Sequence, residues 1–133
     1  MIKGIAHLAF QVSDMDLAVR FYEDGLGFKR KFVLNDDAGK PWIVYLQVSD
    51  DQFLELFFAH EPLVRSPGIT GYQHLCIEVN DIGKVAADLI AKGIAIDHPI
   101  TLGLDHNNQC WIHDPDGNRI ELMEYGPDAL QLN

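Results

Sequence analysis

Tyr72-Gln-His-Leu-Cys-Ile-Glu-Val79 is a second writing of Ile5-Ala-His-Leu-Ala-Phe-Gln-Val12: His falls on His, Leu on Leu and Val on Val. Each copy is followed by an acid, Asp14 or Asp81, where a helix would begin. A second pair recurs at nearly the same spacing, Glu55 in Phe53-Leu-Glu-Leu-Phe57 and Glu121 in Arg119-Ile-Glu-Leu-Met123. The chain is therefore one module written twice, each copy opening on a histidine and closing on a glutamate. Either residue type alone on a strand is more often structural. Their joint recurrence points to a metal site made of His7, Glu55, His74 and Glu121.

Outward from the repeat, hydrophobic periodicity predicts the same element order in both modules. In the first (residues 1–60), Gly4 to Val12 alternates as a strand. Ser13-Asp14 reads as an N-cap, and Leu17, Ala18, Phe21, Tyr22 and Leu26 form a helical stripe that Gly25 and Gly27 end. Strands are expected at Phe28 to Leu34, Trp42 to Val48 and Gln52 to Phe58, giving β-α-β-β-β. A Pro- and Gly-bearing linker spans 61–71. The second module (72–126) has strands at Tyr72 to Val79, Ile94 to Ile100, Gln109 to His113 and Arg119 to Tyr125, and a helix from about Asp81 to Lys92. The tail, 127–133, is expected to take no part in chemistry. The fold class is α+β: two βαβββ modules forming a curved, barrel-like mixed sheet with the helices outside.

The chain has 133 residues, 47% of them hydrophobic, enough for a real interior in one domain or two small modules sharing a core. Ten basic residues against twenty acidic give a net charge of −10, which argues against nucleic-acid binding. No apolar run approaches the roughly 20 residues needed to cross a bilayer. With no signal-peptide pattern at the start and two cysteines, Cys76 and Cys110, that form no disulfide framework, a reduced cytoplasmic protein is expected.

Side-chain parity separates the two faces of each sheet. Leu8, Phe10, Val12, Leu54, Leu56 and Phe58, then Leu75, Ile77, Val79, Ile120 and Leu122, form the faces on which the helices should pack. His7, Glu55, His74 and Glu121 point the other way, among Gln11, Phe53, Phe57, Tyr72, Cys76, Glu78, Met123 and Tyr125. An apolar lining with a few polar groups suits a small molecule. Buried carboxylates need a partner; Arg119 is the main cation available, and a divalent ion would satisfy both glutamates. Two imidazoles and two carboxylates suit Ni²⁺, Zn²⁺, Co²⁺, Mn²⁺ or Fe²⁺, one ion per site. The run Asp105-His-Asn-Asn-Gln109 either hydrogen-bonds a polar substrate or is a solvated connection. His60, His98, His106 and His113 have no module counterpart, and Cys76 reads as packing rather than nucleophile.

The repeat, the helix signature Asp14-Met-Asp-Leu-Ala-Val-Arg-Phe-Tyr-Glu-Asp-Gly-Leu-Gly-Phe28 and the closing Asp114-Pro-Asp-Gly-Asn-Arg-Ile-Glu-Leu122 resemble the vicinal-oxygen-chelate superfamily over nearly the whole chain. That superfamily includes glyoxalase I (lactoylglutathione lyase), extradiol dioxygenases and bleomycin-binding proteins. The resemblance puts His7, Glu55, His74 and Glu121 on the four metal positions of glyoxalase I. Extradiol dioxygenases use only two His and one Glu, so Glu55 favours the glyoxalase-like branch. The resemblance implies a divalent-metal-dependent lyase or isomerase acting on a small substrate with vicinal oxygens. Proton transfer would pass through a metal-stabilised enediolate, with Glu121 as leading base and Glu55 serving the opposite face.

The sequence departs from this pattern where glutathione would bind. Gln11 stands where many bacterial members carry an arginine, and Ala59 where they tend to carry an asparagine, which puts glutathione dependence in question. Gln11, Phe57, Tyr72, Asp105, Asn107, Gln109 and Met123 are the expected substrate contacts. An extradiol-type dioxygenase is the runner-up reading, and a metal-free module binding a small molecule such as an antibiotic is third. A homodimer is expected, with the metal held within one chain or across two by exchange of modules.

Overall fold

The computed structural model describes residues 3–64 and 71–132. The chain divides into two compact units, Met1–Ser66 and Pro67–Asn133. Residues 65–70, most of the expected 61–71 linker, lie outside the described residues.

In the first unit, β1 (His7–Val12) leads into α1 (Met15–Arg20), which continues as a π-helical turn over Phe21–Gly25. Three strands follow: β2 (Lys29–Asn35), β3 (Pro41–Ser49) and β4 (Gln52–Phe58). Asp14 caps the helix, its carboxylate accepting from the Leu17 amide at 2.9 Å. The sheet order is β1-β4-β3-β2, with β1 parallel to β4 and the remaining pairs antiparallel. The second unit repeats this. β5 (Leu75–Glu78), α2 (Ile82–Ala91), β6 (His98–Leu102), β7 (Asn108–His113) and β8 (Arg119–Glu124) give the order β5-β8-β7-β6, with β5 parallel to β8. The α+β architecture of two mixed sheets carrying helices is thus the one expected. The strands form two four-stranded sheets, one in each unit.

Parity locates the centre of each core, although Leu8, expected on the helix-packing face, is 41% exposed. Val12, Val44, Leu46, Leu54 and Leu56 are buried in the first unit, and Cys110, Ile112, Ile120 and Leu122 in the second, where Ile82, Ala86 and Leu89 of α2 are also buried. Full burial of each Leu, Ile or Val stabilises by about 1.5–3 kcal/mol. The opposite face of each sheet is left to the glutamates.

Some boundaries move, for local reasons. β5 begins at Leu75, so His74 stands just ahead of the strand rather than inside it. β6 begins at His98 rather than Ile94, because the chain beyond α2 is used to cap that helix. Gly93 adopts φ +81°, its amide donates to the Ile90 carbonyl, and Ile94 donates to that of Leu89, which is a Schellman motif. The start of α2 is held by Asp81, which accepts from the Lys84 amide, and by Glu124, which accepts from the Asp81 amide at 2.7 Å. No helix among the described residues is long and apolar enough to cross a membrane.

Candidate functional site

Each sheet carries one His–Glu pair on the face turned away from its helix. In the first unit Glu55 is Cα-paired with Ala9 on β1 and with Tyr45 on β3. It is only 4% exposed, and its Oε1 lies 3.4 Å from His7 Nε2. In the second unit Glu121 is paired with Cys76 on β5 and Trp111 on β7. It is 8% exposed, and its Oε2 lies 3.1 Å from His74 Nε2. The two glutamates thus occupy the same node of the same sheet topology.

The surroundings of the two pairs differ. The pKa of the Tyr45 phenol is shifted upward, first by hydrogen-bonding interaction with Glu55, then by burial and by the carboxylate's charge. A phenol so shifted stays protonated and remains a donor. At Glu121 the ladder neighbour is Trp111, whose ring meets that of His74 edge-on at 4.8 Å. The Cys76 thiol also stands against Glu121. Desolvation first, then the charge and hydrogen bonding of Glu121, push its pKa up to about 12. Cys76 is accordingly a thiol at neutral pH and not an activated nucleophile.

The donor set fits a divalent cation. Among the described residues Glu55 Oε1 is a buried oxygen with no hydrogen-bond partner, a costly condition for a carboxylate unless a cation shares the space. His74 Nδ1 is bonded to the Gln73 side-chain oxygen. With that nitrogen donating, the Nε2 lone pair faces Glu121, and two electron-rich atoms at this separation call for a proton or a cation between them. Within neither unit do three or more described His, Cys, Asp or Glu side chains form a group that would hold a metal alone. Each pair supplies two ligands, short of the four protein ligands typical of a closed tetrahedral site.

The other expected contacts fall into two groups. Gln11 is Cα-paired with Phe57 in the β1–β4 ladder, and the Phe57 ring meets that of Trp42 edge-on at 5.7 Å. Gln109 is paired with Met123, next along the strand face from Glu121, and the Tyr72 hydroxyl donates to the Arg119 carbonyl at 3.0 Å. Asp105 and Asn107 instead belong to a clip that fastens the tail. The Asn107 carboxamide donates to Asp105 and to Gln131 and accepts from the Gly126 amide, and the residue is 1% exposed. Gln131 also donates to Asp105, whose pKa is lowered by the bonds from Gln131 and Asn107. A side chain on Gly126 would strike the His106 carbonyl, so the chain passes there only as glycine. Arg119, the cation expected to pair with a glutamate, stacks instead on Trp111, its guanidinium carbon 4.5 Å from the ring centroid.

Tyr45, Trp111 and Gln73 were not picked out from sequence. Tyr45 and Trp111 were nonetheless visible in principle: carrying the repeat into the third strand of each module sets an aromatic residue opposite each glutamate.

Known proteins resemble the chain along most of its length. It is 30% identical over 136 residues to the probable chloroplastic lactoylglutathione lyase of Arabidopsis thaliana, covering 98% of this chain but only 38% of that protein. It is 33% identical to a virulence protein of Salmonella typhimurium, covering 94% of this chain and 86% of that one. Among solved structures, a glyoxalase family protein from Enterococcus faecalis superposes with a TM-score of 0.80 at 27% identity, covering 92% of this chain and 98% of that one. With residues 4–122 matching the family's own pattern, the chain belongs to the Glyoxalase/Bleomycin resistance protein/Dioxygenase superfamily.

Proposed function

We propose that the protein is a divalent-metal-dependent lyase or isomerase of the glyoxalase type, moving a proton beside a carbonyl in a small substrate with two adjacent oxygens. One observation carries the reading: the same His–Glu pair recurs at the same node of two sheets, each glutamate buried and each histidine turned to it. His7, Glu55, His74 and Glu121 are then the four protein ligands of one ion, the pairs coming from one chain or from two chains of a homodimer. A bound Ni²⁺, Zn²⁺, Co²⁺, Mn²⁺ or Fe²⁺ would supply Lewis-acid stabilisation of negative charge developing on the substrate oxygens.

The chain's own residues supply the rest. Glu121, whose ladder neighbour is an indole and not a phenol, is the base that takes the carbon-bound proton and returns it to the adjacent carbon. Glu55, with the Tyr45 phenol across the ladder from it, serves the opposite face. Phe53 and Phe57 flank Glu55 on its own strand, as Met123 follows Glu121, and these apolar neighbours limit water around both carboxylates. The named activity of the Arabidopsis relative makes the methylglyoxal–glutathione hemithioacetal the first substrate to try. Gln11 in place of an arginine argues for extending the trial to glutathione-free hydroxycarbonyl compounds.

The test is Glu121→Gln, read by metal-dependent turnover and by incorporation of solvent deuterium at the substrate carbon. A loss of about 100-fold or more with an unchanged circular dichroism spectrum is expected. Undiminished turnover would remove Glu121 from the role.

A further inference from the structure

We infer that Arg119, seated on Trp111, is a binding subsite for an oxyanion of the substrate, carboxylate or phosphate, which makes the substrate an anionic, oxygen-rich small molecule. This rests on the reading that the His74–Glu121 face of the second unit carries the ligand.

Arg119 shares its strand face with Glu121, two residues on, while Ile120 and Leu122 are buried on the other side. Among the described residues Arg119 makes no ion pair: the pairs formed join Glu23 to Arg30, Glu55 to His7, Glu121 to His74 and Asp97 to His113. Asp97 is held through both oxygens by His113, the residue opposite Arg119 in the β7–β8 ladder, and so is already engaged. The guanidinium instead lies over Trp111.

A guanidinium held over an indole ring keeps N–H donors on the side away from the ring, and a guanidinium fork can receive a carboxylate or phosphate through two parallel bonds. The platform is fixed from both sides. Trp111 abuts the His74 ring, which reaches Glu121, and the Tyr72 hydroxyl holds the Arg119 carbonyl. Arg119, Trp111, His74 and Glu121 thus form one contiguous series, with an unpaired cation at one end and a buried carboxylate at the other. A ligand whose oxygens meet the His–Glu end and whose anionic group meets Arg119 matches both ends.

The experiment uses a Trp42→Phe background, in which Trp111 is the sole indole because the chain has two tryptophans. Trp111 emission is followed on adding L-malate, glycerol 3-phosphate or uncharged glycerol, with and without Zn²⁺. At least one anion should shift the emission saturably while glycerol does not, and the stronger anion identifies carboxylate or phosphate as the preferred group. Arg119→Met should weaken that binding about tenfold or more, and Arg119→Lys, which keeps the charge and loses the fork, by less. Circular dichroism checks that both variants fold. Unchanged affinity in Arg119→Met, or no saturable anion binding with or without Zn²⁺, overturns the inference. Binding that needs Zn²⁺ but ignores Arg119→Met leaves the metal reading standing and this inference fallen. Binding that needs Arg119 but ignores both Zn²⁺ and His74→Ala detaches the anion from the His74–Glu121 face and overturns the inference too.

Discussion

Tyr45 stands directly across the β3–β4 ladder from Glu55, and interaction with that carboxylate raises the pKa of its phenol. At the matching node of the second sheet Trp111 faces Glu121 and has no hydroxyl to offer. Two carboxylates related by an internal repeat therefore have different neighbours, a phenol at Glu55 and an indole and a thiol at Glu121.

Tyr45→Phe removes the phenol oxygen beside Glu55 while keeping the ring. Loss of such an outer contact typically weakens metal binding 10- to 100-fold. About tenfold weaker Zn²⁺ affinity by calorimetric titration is expected, with the fold intact. Equal affinity would mean that the phenol does not position Glu55.

The tail clip is a stability element. Asn107 uses its whole carboxamide on Asp105, Gln131 and Gly126 while buried, so Asn107→Ala should cost about 1–3 kcal/mol in urea unfolding. A change within experimental error would show the clip to be dispensable.

The same clip gives a pH signature. The folded-state pKa of Asp105 lies below its ordinary value of 3.8, so its contribution is complete above that value and is lost as pH falls through the lower folded pKa. Acid unfolding should therefore be less steep in Asp105→Asn than in the parent over that range. Parallel curves would count against the assignment.

Asp114, 1% exposed, organises the turn that delivers β8 and Glu121. It accepts from the amides of Asp116 and Asn118 and from the Asn118 side chain. Asp114→Ala should cost about 2 kcal/mol, since bonds to a charged acceptor exceed neutral ones. Chemical denaturation measures it.

The sequence was most informative where a side chain's fate depends on parity or on the repeat. Leu54 and Leu56 flanking Glu55, and Ile120 and Leu122 flanking Glu121, assign the faces without reference to anything distant, and those residues are buried as expected. It was least informative where a partner lies far along the chain. Nothing near Asp105 announces that Gln131 will claim it, so a polar run that reads as a substrate contact or a solvated connection folds into a clip. Arg119 failed for a related reason: charge alone favours Glu121, and only the β7–β8 register puts the Trp111 ring within reach. The late start of β6 follows from Gly93, whose helix-ending role was legible while the residue it uses up, Ile94, was not.

Four ligands offered two by two also bear on assembly. A homodimer is expected by light scattering at micromolar concentration, and a monomeric mass would confine the ligand set to a single chain.

Metal content decides the central claim: elemental analysis of untagged protein purified without chelator, beside His74→Ala. One divalent ion per set of His7, Glu55, His74 and Glu121 in the parent, and almost none in the variant, is the predicted result. A parent that is metal-free and takes up no Ni²⁺, Zn²⁺, Co²⁺, Mn²⁺ or Fe²⁺ on titration would contradict it, leaving the repeated His–Glu pair as a feature of the fold alone.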